Sequence, residues 1–114
     1  MSTAGERSAY AERVLAVVAQ IPRGWVMTYG DVADFMGEGG PRAVGAVMRT
    51  SGGSVPWHRV VMADGRPSPA SPDLAAALLV DDDTPMRADG ARVDLALARW
   101  DGSVTARKRR RSRL

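Results

Sequence analysis

Apolar residues fall at Tyr10, Val14, Val17, Val18 and Ile21, a spacing of i, i+4, i+7, i+8 and i+11 that draws one stripe along an α-helix. The pattern predicts a packing helix from an N-cap at Ser8 to about Gln20, broken by Pro22-Arg23-Gly24. Residues 1–7 lack any period and are expected to fray. Trp25-Val26-Met27 reads as a short extended link. Thr28, with Asp31 three residues on, makes a capping-box start for a second helix from Tyr29 to about Met36, with Val32, Ala33, Phe35 and Met36 as its apolar side. Gly37-Glu38-Gly39-Gly40 is a turn rich in residues that accept positive φ. Pro41 then occupies the favoured first position of a third helix, predicted to run to about Thr50.

Thr50 to Ser54 reads as a Gly/Ser loop. Pro56 stiffens the entry into Trp57-His58-Arg59, and Val60-Val61 is a short buried strand. A turn at 62–65 and a proline-rich loop from Arg66 to Pro72 follow. Asp73 is the expected cap of a fourth helix carrying Leu74, Leu78, Leu79 and Val80, ended by Asp81-Asp82-Asp83. That acidic run is unfavourable at a helix C-terminus, so its carboxylates are candidates for another task. Met86-Arg87 and Arg92 to Leu95 flank Asp89-Gly90 and predict a small hairpin or wing, before a last ordered piece from Ala96 to Trp100.

The fold class expected is mainly α with little β structure. Helix, glycine turn and second short helix make a helix-turn-helix, although an ordinary αα-hairpin would show the same pattern. What favours a surface presented to DNA is the smoothness of the third helix. Ala43, Gly45 and Ala46 keep it flat, Arg42 projects from its first turn, and its N-terminus adds partial positive charge.

Composition narrows the chemistry. A hydrophobic content of 45 % and a charged content of 25 % fit an ordinary globular chain of 114 residues. No apolar run approaches the roughly 20 residues that span a bilayer, so no membrane contact and a cytoplasmic location are expected. The chain has no cysteine and one histidine, which removes disulfides, thiolate nucleophiles and thiolate metal sites; neither metal nor cofactor is expected. The net charge of +3 is unevenly placed: residues 107–114 carry six of the 16 basic residues and no acid, leaving −3 on the remainder. We read 1–106 as one domain and 107–114 as a disordered basic tail that contacts polyanions without sequence preference.

The only histidine lies between an aromatic and an arginine in Pro56-Trp57-His58-Arg59-Val60-Val61. Taken alone, Trp57 reads as core and His58 as a hydrogen-bonded structural histidine. Two other stretches accompany it: Val26-Met27-Thr28-Tyr29-Gly30-Asp31-Val32-Ala33 and Pro41-Arg42-Ala43-Val44-Gly45-Ala46-Val47-Met48-Arg49. In this order and spacing the three resemble the DNA-binding and active-site domain of O6-alkylguanine-DNA alkyltransferases, over about residues 8–83. Those enzymes transfer the alkyl group to a cysteine within Pro-Cys-His-Arg-Val. Here that position is Trp57, and an indole lacks the low-pKa activation the transfer needs. The chain therefore resembles the alkyltransferase-like proteins, the non-enzymatic sister family marked by Pro-Trp-His-Arg-Val. The ending Arg92 to Leu95 and Arg99-Trp100 is similar too.

The resemblance implies roles. Tyr29 presses on the DNA backbone and rotates the target nucleotide outward, and Arg42 enters the base stack in its place. Pro41, Ala43, Gly45 and Arg49 belong to the DNA-contacting helix, which rests in the minor groove. Trp57 lines the pocket for the flipped base, with Tyr29, Met48 and Val60 as walls, His58 beneath and Arg59 beside it. Arg66, Ser68 and Ser71 belong to the loop that closes over it. Asp82 falls near the place of a glutamate that completes a relay with the histidine, one methylene shorter, and is a candidate partner of His58. The partners implied are duplex DNA containing O6-alkylguanine and nucleotide excision repair proteins, with the chain acting as a monomer. The rival expectations are a winged-helix regulator that reads sequence, which would need polar base-reading side chains on the third helix, and a residual alkyltransferase.

Overall fold

The computed structural model describes residues 8–103; the expected frayed start at 1–7 and basic tail at 107–114 lie outside them. Helix α1 (Ala9–Val18) is capped by Ser8, whose Oγ accepts the Ala11 amide hydrogen at 3.0 Å. It stops two residues before Gln20 because Gln20 and Ile21 close tighter turns onto Val17 and Val18, which still buries Ile21. Strand β1 (Met27–Thr28) runs directly into helix α2 (Tyr29–Met36) through the predicted capping box. The Asp31 amide donates to Thr28 Oγ1 at 2.9 Å, and the Thr28 amide donates to Asp31 Oδ2 at 3.0 Å. Gly37 ends α2 at φ +75, and Gly40 enters helix α3 (Pro41–Ser51) extended, with Pro41 in its first turn.

The α2–α3 turn is fitted to α1. At Gly39, φ is +74 and an added Cβ would lie 2.2 Å from Tyr10 Oη, so both the dihedral and the space demand glycine. After α3, Trp57–Arg59 form one 3₁₀ turn ahead of strand β2 (Val60–Val61). β2 pairs in parallel with β1, Met27 opposite Val60 and Thr28 opposite Val61. The two strands have two faces and so define two cores. Met27 and Val60 join Val14, Val18, Val32 and Val44 in one, closed by Trp100. Val26 and Val61 join Leu79, Val93 and Ala98 in the other.

Helix α4 (Pro72–Asp81) starts at Ser71 and Pro72 rather than at an Asp73 cap: Pro72 takes the first position, and Asp73 lies in the first turn, where its charge suits the helix dipole. Leu74 and Val80 are exposed rather than core. The predicted wing is a small hairpin with one bridge, Met86 to Val93, around a turn at Gly90. Helix α5 (Leu95–Ala98) then returns the chain to β1, where Val26 and Arg99 bridge in parallel and the Trp100 amide donates to Val26 O at 2.8 Å. Among the described residues the architecture is mainly helical with one two-stranded sheet, as expected, and no helix is long and apolar enough to cross a membrane.

Candidate nucleic-acid interface

A mostly apolar cavity of about 870 Å³ opens where α2, α3 and the proline-rich loop meet. Each wall has a local cause. The capping box makes Tyr29 the first residue of α2, and Arg99 grips the same Asp31 carboxylate at 2.9 and 3.1 Å, which ties the start of α2 to the C-terminal segment. Partial burial pushes the Asp31 carboxyl up, but the Arg99 guanidinium and the Thr28 amide outweigh it and hold it below its ordinary value. The Tyr29 hydroxyl donates across the cavity to Ser68 Oγ at 3.2 Å, joining α2 to the loop.

On α3, Arg42 and Arg49 are seven residues apart and both line the cavity, with Gly45 between them on the same face. Two guanidiniums thus flank a gap where an added Cβ would meet nothing within 4 Å. Met48 lines the cavity one turn deeper. An added Cβ at Gly52 would come within 3.2 Å of the Met48 terminal methyl, so that glycine seats the Met48 side chain.

Trp57 is set by its proline. Pro56, at φ −73 and ψ 70, is the centre of an inverse γ-turn in which the Trp57 amide donates to Val55 O at 2.6 Å. The 3₁₀ turn that follows turns successive side chains by a third of a revolution. Trp57 faces the cavity; His58 is buried behind it, its ring edge-on at 6.1 Å; Arg59 turns toward α1. His58 Nε2 lies 2.9 Å from Asp82 Oδ2, and because a carboxylate only accepts, that nitrogen carries the hydrogen. Arg59 donates to the same carboxylate at 2.8 and 3.3 Å and to Ile21 O at 3.0 Å, and Arg23 approaches Asp82 at 3.8 Å. Burial raises the Asp82 pKa, yet the bonds from Arg59 and His58 outweigh it and hold the carboxyl below its ordinary value. The acidic end of α4 is thus a hub for three cationic or imidazole side chains, and the shorter aspartate reaches His58.

The structure brings Tyr29, Pro41, Arg42, Gly45, Met48 and Arg49 to the cavity, and Trp57, Ser68 and Ser71 with them. It places others elsewhere. Val60 is fully buried in the main core and forms no wall, because β2 alternation turns it toward α1. His58 and Arg59 serve the Asp82 hub. Arg66 is exposed beside Asp64 at 3.4 Å, and Ala43 is half-buried off the lining. Sequence reasoning missed Gly30, Gly52, Met62, Ala63 and Pro69, which complete the walls. For Gly52 and Ala63 the available signal was small size in segments read as loop or turn; Gly30 lies within α2, and Met62 and Pro69 are not small. Among the described residues, no group of three or more His, Asp or Glu side chains could hold a metal ion. Beside the His58–Asp82 pair stands the Trp57 indole, edge-on to the imidazole.

A helix-turn-helix with a cavity along its second helix, lined by two arginines and backed by the His58–Asp82 pair, is the architecture of a DNA-binding alkyltransferase domain. The chain belongs to that family: the 6-O-methylguanine DNA methyltransferase DNA-binding domain matches residues 9–82. The DNA base-flipping protein of Escherichia coli K12 is 39 % identical over 104 residues, covering 84 % of this chain and 78 % of that protein. S. pombe Atl1, in complex with damaged DNA containing O6-carboxymethylguanine, has a TM-score of 0.70 at 26 % identity, covering 83 % of this chain and 98 % of its own. Mycobacterium tuberculosis O6-methylguanine methyltransferase has a TM-score of 0.60 at 29 % identity, over 72 % of this chain and 54 % of that one. Likeness to the alkyltransferase-like proteins therefore extends over the whole of Atl1, and likeness to the methyltransferase over about half of the enzyme.

Proposed function

We propose that this protein is a non-enzymatic reader of O6-alkylguanine in duplex DNA. One observation carries the reading: Trp57 lines the cavity along α3, beside the His58–Asp82 pair and in a chain without a thiol. The duplex docks its minor groove on α3. Arg42 and Arg49 meet phosphates or the stack, and the bare surface at Gly45 lets the backbone come close. Tyr29 presses the target nucleotide outward, and Arg42 fills the gap it leaves.

Extrusion costs a few kcal/mol of unpairing and unstacking. O6 alkylation weakens pairing with cytosine and lowers that cost. Stacking on Trp57 returns about 1–3 kcal/mol. Met48 offers an apolar contact beside the flipped base. With no acceptor the alkyl group stays on the base, the complex persists, and it serves as a mark for nucleotide excision repair. The E. coli relative is named a DNA base-flipping protein, and Atl1 was solved on O6-carboxymethylguanine DNA; both support the reading.

The test is a titration of matched duplexes, with and without one O6-methylguanine, at fixed salt, with the methyl group followed by mass. Tighter binding to the lesion with the methyl left on DNA is expected. Equal affinities would reduce the protein to a general DNA binder, and methyl on the protein would make it an enzyme.

A further inference from the structure

Tyr29 is held at both ends. The Thr28–Asp31 capping box fixes its backbone as the first residue of α2, and Arg99 grips the Asp31 carboxylate from the C-terminal segment. At the far end of the ring, the hydroxyl donates to Ser68 Oγ at 3.2 Å. Both side chains line the main cavity. Ser68 is only 5 % exposed, although Arg66, Pro69 and Ala70 around it are open to solvent. A buried serine in an exposed loop needs a reason, and its hydrogen-bond partner here is the tyrosine.

The loop itself is stiff at that point. Pro67 and Pro69 bracket Ser68; each fixes its own φ, and Pro69 also keeps Ser68 away from helical backbone. Upstream, the Gly65 carbonyl accepts the Val93 amide hydrogen at 2.8 Å. At that glycine φ is +91 and an added Cβ would lie 2.5 Å from Val93 O, so the loop is seated closely on the hairpin. Downstream, the Ser71 carbonyl accepts the Ala75 amide hydrogen at 2.8 Å and opens α4. Ser68 lies midway between these two anchors. It is a rigid mount for one hydroxyl.

We propose that Ser68 is a positioning residue: in the free protein it holds the Tyr29 ring in the orientation from which that ring presses on the DNA. The inference rests on the wedge role proposed for Tyr29 above. A ring left free would have to be ordered on the duplex, and that ordering would weaken binding. Held by Ser68, it is ordered once the chain has folded. The benefit falls on the complex in which a nucleotide is turned out. Docking of an unmodified duplex on α3 does not draw on it.

The experiment uses the full chain with Ser68→Ala, Ser68→Thr, Tyr29→Phe, and Ser68→Ala combined with Tyr29→Phe. Without DNA, side-chain NMR relaxation is read at the two tyrosines of the chain. Ser68→Ala is expected to loosen the Tyr29 ring, and Ser68→Thr, which keeps a hydroxyl, to restore its order. Tyr10, whose buried hydroxyl has no hydrogen-bond partner, is the control and should not change. With a duplex carrying one O6-methylguanine, Ser68→Ala is expected to weaken binding about 3–10-fold and Ser68→Thr to recover it. Tyr29→Phe cuts the same bond from the other side, so it should cost as much, and the double variant no more than either. Binding to the unmodified duplex should stay level. An unchanged Tyr29 ring in Ser68→Ala would overturn the proposal. So would additive losses, which give the two hydroxyls separate tasks, or tighter lesion binding by Ser68→Ala, which makes the bond a bar across the cavity. A native chain with no preference for the lesion would sink the proposed function instead, while the ring order, read without DNA, still decides whether Ser68 holds Tyr29.

Discussion

At the scale of single residues, the site turns on three neighbours, one sent to the cavity and two to Asp82. The 3₁₀ turn gives Trp57 to the cavity and His58 to Asp82, with Arg59 bridging Asp82 and the Ile21 carbonyl. Trp57→Ala removes a stacking surface and is expected to weaken lesion binding by about 1–3 kcal/mol, with little change on unmodified DNA; paired Kd measurements check it. Asp82→Asn leaves the Arg59 guanidinium against a neutral amide, and a loss of about 3 kcal/mol is expected in denaturant unfolding at pH 7. The pH dependence carries a sign. Asp82 titrates below 3.8 when folded, so between that lowered value and 3.8 the unfolded chain holds a proton that the folded chain does not. Its contribution is whole above about pH 4 and vanishes as pH falls through the folded value. The native chain should therefore lose stability on acidification faster than Asp82→Asn, and parallel acid limbs would refute this. Trp57 and His58 were legible as a motif. Their directions were not, because the resemblance implied His58 and Val60 at the pocket, whereas the 3₁₀ turn and β2 send His58 to Asp82 and Val60 to the core.

At the scale of elements, the local signals were direct. Ser8, the Thr28–Asp31 box and Pro41 each start the helix they mark. What was not legible is pairing across distance: two-residue strands more than 30 residues apart carry no register in their sequence, nor does Val26 announce Arg99 as its neighbour. Two glycines separate architecture from function. Gly39→Ala brings a Cβ against Tyr10 at positive φ, and a loss of about 2 kcal/mol or more is expected. Gly45→Ala meets open space inside α3, where alanine is the better helix former, so thermal unfolding should show a gain of about 0.5–1 kcal/mol. The same methyl stands on the face between Arg42 and Arg49, so duplex binding should weaken while stability rises. If both move together, Gly45 is a structural glycine and not part of the interface.

At the scale of the whole molecule, charge and apolar contact are divided between affinity and discrimination. On the function proposed, Arg49 on α3 and the basic residues at 107–114 are the cations for phosphates, Arg42 enters the stack, and Trp57, Met48 and the Tyr29 ring are the surfaces for the flipped base. Phosphate contacts release counterions, and each lowers affinity with a log–log salt slope of about 0.9. Stacking on an uncharged ring releases none. Raising salt from about 50 to about 200 mM should therefore weaken binding to lesion and unmodified duplexes in parallel, with the ratio of the two Kd values unchanged. Replacing Arg49 by Ala should flatten both slopes by roughly 0.9. A ratio that collapses with salt would mean that the lesion is recognised through charge, with Arg42 rather than Trp57 as its reader. A ratio that holds assigns the damage signal to the apolar cavity and leaves the arginines to bring the duplex there.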